Sequence, residues 1–249
     1  MAEALLGGLL AADALPVADV SVVEVLDERR AELERLHPGL HVTATPEPAA
    51  DVVVATKPAQ VAEALAVARG AGLRRVLSIA AGVTTGALEA AAGPVPVVRA
   101  MPNTPALVGE GASAVAAGVH AGPDDLAWAE RLLGTVGTVV RVPEEQMDAV
   151  TALSGSGPAY LFLVAEALVD AAVRAGLPAD TADALTRQTI LGSARLLAEG
   201  ADPADLRAAV TSPGGTTAAA VRVLEDLDLR GAFSAAVAAA AERSRELGG

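Results

Sequence analysis

Up to Pro143 the chain alternates short β-branched runs with helical stretches, and beyond Pro143 no such run recurs. The runs are VSVVEV (20–25), DVVVAT (51–56), RRVLSIAAG (74–82), VPVVRAMP (95–102), ASAVAAG (112–118) and TVVRVP (138–143). Between them lie DERRAELERL (27–36), closed by His37-Pro38-Gly39, and KPAQVAEALAVARGAG (57–72). A short helix follows from Thr84 or Thr85, and PDDLAWAERLLGTVG (123–137) opens with a proline and two acids suited to a helix N-terminus. Strands and helices alternating at these spacings predict a mostly parallel sheet wound on both faces. From Glu144 onward only helical segments are expected, over 144–152, 158–175, 179–199, 203–211, 217–226 and 231–247. The expected organisation is α/β: a Rossmann-like doubly wound domain over 1–143, then an all-helical domain over 144–249.

Hydrophobic residues make up 52% of the chain and aromatics only 2%, so both cores must be built from Ala, Val and Leu. A formal charge of −13 with no basic block argues against nucleic acid or an anionic membrane as partner. Cysteine is absent, which excludes disulfides, thiolate metal sites and a cysteine nucleophile. His37, His41 and His120 have no ligand spacing, so no metal is expected. The longest apolar stretch, 159–173, contains Glu166 and Asp170 and reads as too short to span a bilayer. With no basic leader at the N-terminus, the expectation is a cytoplasmic protein. The helix at 158–175 is apolar almost all round, so it should be buried on most sides, either in a subunit interface or as a central core helix.

Several stretches can carry chemistry. In TSPGGTTAAAV (211–221), Pro213-Gly214-Gly215 predicts a tight turn, with Thr216 or Thr217 capping the next helix. Such a turn leaves backbone N–H groups at a helix N-terminus, a ready site for a carboxylate or phosphate. LSGSGPAY (153–160) is a small-residue turn ending at Pro158. Lys57 is the only lysine, and it follows a strand on the side where doubly wound sheets bind ligands. In RAMPNTPALVGEG (99–111), two prolines stiffen a loop around Asn103, whose amide can orient a ring-bearing ligand.

VVRAMPNTPALVGEG, DAVTALSGSGPAYLFLVAEALVDAAVRAGLP and AAVTSPGGTTAAAVRVLE, in this order and spacing, together resemble the pyrroline-5-carboxylate reductase family of proline biosynthesis. The resemblance implies reduction of 1-pyrroline-5-carboxylate to L-proline by hydride transfer from NADPH or NADH. It also implies a homodimer formed through the helical domain, on which larger assemblies are built. On the family pattern Ala55, Thr56, Lys57, Pro58, Ala80 and Gly82 line the cofactor site, with Met101 and Asn103 near the nicotinamide. Ser212, Gly214, Gly215, Thr216 and Thr217 hold the substrate carboxylate. The Thr217 hydroxyl is the expected catalytic group, hydrogen-bonding the imine nitrogen.

The chain opens MAEALLGGLLAADAL, a helical pattern with no strand in front of it. In the family that helix follows a strand and a turn of the form G-x-G-x-M-[GA], and Met1 and Ala2 match its last two positions on the cofactor. The first strand of the sheet is therefore expected to be missing. Leu5, Leu6 and Leu9 should still face the sheet, beside a gap between the strands at 20–25 and 51–56. A start assigned at an internal methionine accounts for this. A truncated, non-catalytic dimeric module is the second reading. Glu24 falls where a carboxylate would bind the ribose 2′-OH of NAD, favouring NADH unless Arg29 or Arg30 compensates.

Overall fold

The structure, a computed structural model, describes residues 1–48 and 51–248. Its first compact unit comprises 1–156 together with 240–248. Helix α1 (Ala2–Ala11) leads to β1 (Ser21–Val23), α2 (Asp27–Leu36) and β2 (His41–Thr43). Then come β3 (Asp51–Val54), α3 (Val61–Gly70), β4 (Arg75–Ser78), α4 (Thr85–Ala92) and β5 (Val97–Met101). The unit continues with β6 (Gly111–Ala117), α5 (Pro123–Leu133) and β7 (Gly137–Arg141). Helix α2 has the limits that its composition suggests: acids at its start, Arg35 in its last turn and Pro38 just beyond. The short β2 has no counterpart among the runs identified from sequence.

The strands form two ladders. Strands β3-β4-β5-β6-β7 make one sheet, parallel throughout except for the antiparallel β5–β6 pair, and β1-β2 make a separate parallel pair. The expected gap is there: β1 and β3 each have a strand neighbour on one side only among the described residues. Leu5 and Leu9 of α1 are buried with Leu77, Val98 and Ala100 of the sheet and with Trp128, Leu132 and Leu133 of α5. Each such buried leucine contributes about 1.5–3 kcal/mol. On the opposite face α3 and α4 bury Val61, Leu65 and Leu88 against Val76 and Val97.

Past β7, a 3-10 turn (Glu144–Gln146) runs into α6 (Met147–Val150), and a π-helical turn follows over Thr151–Gly155. The second unit, 157–239, holds α7 (Gly157–Arg174), α8 (Ala179–Ala198), α9 (Pro203–Ala209), α10 (Thr216–Asp226) and most of α11 (Leu229–Gly248). Two expectations are corrected here. The Gly-Ser-Gly-Pro stretch is no break: helical backbone runs from Glu144 to Arg174, 31 residues, long and apolar enough by composition alone to cross a membrane. The run is thus longer than the apolar stretch 159–173 on its own. The other correction concerns capping: neither Thr216 nor Thr217 caps α10, whose first residue is Thr216 and whose N-cap is Gly215.

Candidate active site

Strands β3, β4 and β5 are parallel neighbours, so the loops after them emerge along one edge of the sheet. This gathers Ala55, Thr56, Lys57 and Pro58 after β3, Ala80 and Gly82 after β4, and Met101 and Asn103 at the end of β5. Residues 55–58 are exposed, and Lys57 forms no ion pair with any described residue. Ala80 is buried, and Gly82 packs near the backbone of Leu247.

The helix N-termini of this unit differ in a way that matters for an anion. Helix α4 is already satisfied: Thr84 Oγ1 accepts the Ala87 N–H, and Glu144 Oε1 accepts the Thr85 N–H at 3.1 Å. The same Glu144 oxygen accepts from the buried Arg99 guanidinium at 2.7 Å. Helix α1 begins at Met1 with no side-chain cap, and so does the 3-10 turn after Lys57. The first intrahelical donor of α1 is the Leu5 N–H, to Met1 O, so earlier amides remain available to a phosphate.

At the end of β1, Glu24 Oε1 accepts the Leu26 N–H at 3.0 Å. Arg29 pairs with both Glu3 of α1 and Glu32, and these carboxylates hold its pKa above the usual arginine value. Arg30 pairs with Asp27 and donates to Glu24 O. An open cleft of about 520 Å³ lies alongside, lined by Leu26, Asp27, Glu28, Arg29 and Glu32. Both arginines that could attract a 2′-phosphate thus already hold acidic partners.

Asn103 is buried and both ends of its amide are engaged: Oδ1 accepts the Ala112 N–H at 2.8 Å, and Nδ2 donates to Ser154 O at 3.0 Å. Met101 is half-buried beside the same turn, and a Cβ on Gly155 would fall 2.6 Å from Met101 Cε. Nothing in the sequence pairs Asn103 with Ser154, 51 residues away.

In the second unit, Gly214 (φ +73°) turns the chain and the Gly215 N–H donates to Ser212 O at 3.0 Å. Ser212 Oγ lies where a Cβ on Gly215 would stand. No side chain caps α10, and its first intrahelical donor is the Ala219 N–H, to Gly215 O. The amides of Thr216 and Thr217 therefore lie in the uncapped first turn beside Ser212, a geometry able to bind a carboxylate. Thr217 is half-buried in that turn. Among the described residues no cluster of His, Asp or Glu could hold a metal.

Residues 144–247 match the family model for pyrroline-5-carboxylate reductase dimerisation. A pyrroline-5-carboxylate reductase of Corynebacterium melassecola is 45% identical over 99% of this chain and 94% of its own. One from Mycobacterium tuberculosis is 46% identical over 98% and 92%. Among solved structures, a pyrroline-5-carboxylate reductase from Coxiella burnetii aligns with a TM-score of 0.89 and 38% identity, covering 100% of this chain and 95% of its own. The Plasmodium falciparum enzyme, solved with NADP bound, aligns at 0.84 with 28% identity over 99% and 94%.

Proposed function

This chain belongs to the pyrroline-5-carboxylate reductase family, and from that premise we propose how its own residues serve the reaction. The activity is reduction of 1-pyrroline-5-carboxylate to L-proline with NAD(P)H, in proline biosynthesis, by a homodimer assembled through the helical unit. The observation that carries the site assignment is that the N-termini of α1 and α10, where the family pattern puts the coenzyme and the substrate, both lack a side-chain cap. That of α1 fits the coenzyme pyrophosphate, with Met1 and Ala2 at its start. That of α10 fits the substrate carboxylate, held by the amides of Gly215, Thr216 and Thr217 beside Ser212 and Gly214. Ala55, Thr56, Lys57, Pro58, Ala80 and Gly82 border the coenzyme, and Lys57 supplies a cation that forms no ion pair with any described acid.

When bound, the reduced nicotinamide supplies the hydride that the C=N carbon accepts. The chain contributes orientation and polarity. The α10 amides fix the carboxylate, and with it the ring; the Thr217 hydroxyl hydrogen-bonds the ring nitrogen, which ends as an amine. Glu24 binds the ribose 2′-OH and repels a 2′-phosphate, and the occupied Arg29 and Arg30 leave NADH as the preferred coenzyme. The enzyme works in the cytoplasm, and its dimers build larger rings. Coenzyme oxidation by the purified chain, followed with 1-pyrroline-5-carboxylate and each coenzyme in turn, tests the reading. Proline should form, with the lower KM for NADH; no turnover with either coenzyme would refute the activity, and a strong NADPH preference the role of Glu24.

A further inference from the structure

We infer that Asn103 is a positioning residue for the reduction, locking the coenzyme-side loop after β5 to the π-helical turn at 151–155. The inference rests on the functional reading above, and the bond itself on geometry. In an α-helix the donor to the Ser154 carbonyl would be residue 158, which is a proline and has no N–H. Asn103 Nδ2 fills that vacancy at 3.0 Å. Its amide cannot be turned over, because Oδ1 must face the Ala112 N–H. One buried side chain therefore joins β5's exit, the start of β6 and the helical run leaving this unit. Met101, beside the empty Cβ position of Gly155, is held by the same joint.

The turn is itself fastened in place. Ser156 N–H bonds Thr151 O at 2.9 Å, five residues back, while Thr151 Oγ1 and Ser154 Oγ donate to Met147 O and Val150 O. A π-turn of this kind presents a carbonyl sideways, out of the helical ladder. One N–H and one lone pair of the Asn103 amide are thus committed to backbone, which fixes the amide's orientation. Asn103 acts on the reaction through the shape of the loop 101–104.

Asn103→Asp tests this by removing one donor without changing shape. The ionised carboxylate still accepts the Ala112 N–H but opposes the Ser154 carbonyl, whereas the protonated acid can donate to it. At pH 8 NADH affinity, measured by calorimetry without substrate, and kcat should each fall about tenfold, the worth of one buried hydrogen bond. Both should recover towards the parent as the pH is lowered to 5.5, with the dimer intact throughout. Gly155→Ala, which presses on Met101 from the other side, should lower NADH affinity and kcat at every pH. Parent-like affinity and kcat in Asn103→Asp at pH 8, or a deficit that does not change with pH, would overturn the inference. A parent chain that neither binds NADH nor turns over would instead sink the functional reading.

Discussion

On the proposed reading, Thr217 is the residue on which the rate depends. Replacing it with alanine keeps the backbone amides of the α10 turn and removes one hydroxyl. Turnover should fall roughly ten- to a thousandfold, as for a lost transition-state hydrogen bond, while KM for the imine changes little. Steady-state kinetics would show the split. Glu24→Gln removes the charge that opposes a 2′-phosphate, so KM for NADPH should drop several-fold with kcat unchanged. Some of this was readable from residues alone. The SPGG turn announces a helix N-terminus, and Lys57 stands out because the chain has no other lysine. The role of Asn103 was not: its partner is a main-chain carbonyl far along the sequence, freed by a proline that looks like simple punctuation.

At the scale of elements, the clamp between α5 and β7 shows how charge fastens the sheet's far edge. Arg141 holds the Glu130 carboxyl below its ordinary value near 4.5, chiefly by hydrogen bonding. A depressed carboxylate pKa stabilises the fold above the unfolded value and loses its effect as pH falls through the folded one. Arg141→Gln should therefore lower Tm by no more than a few degrees at pH 7, since the pair is partly exposed. The gap between parent and variant should narrow as pH falls below the ordinary glutamate range and through the depressed pKa of Glu130, which thermal melts across pH would record. Helix limits were legible where caps and charges mark them, as in α2. Strand β2 was not, because His41-Val42-Thr43 is too short for an alternation to register. The π-turn was misread because glycines at 155 and 157 suggest a chain reversal, whereas the empty Cβ of Gly155 makes room for Met101.

The whole molecule is shaped by what its second unit leaves uncovered. Leu161, Phe162, Leu163 and Leu168 of α7 are all between 47% and 66% exposed in the single chain, too much apolar surface for an isolated helical unit. Residues 144–247, which include α7, match the family's dimerisation model, and a dimer is expected to cover this face. Phe162→Glu should convert the dimer to monomer in analytical ultracentrifugation and abolish turnover with it. The separation of the β1-β2 pair from the five-stranded sheet leaves β1 and β3 each with an unpaired side among the described residues. Such edges invite association with other strands.

Lys57 has one more consequence, for chemical labelling. Because the chain has a single lysine, and because it is exposed after β3, an amine-acylating reagent has one side chain to modify besides the N-terminal amine. With Lys57 bordering the coenzyme as proposed, a mass spectrum of the intact protein should read occupancy of the coenzyme site. Saturating NADH should protect one acylation event and the imine alone should not, so the chain carries its own footprinting probe.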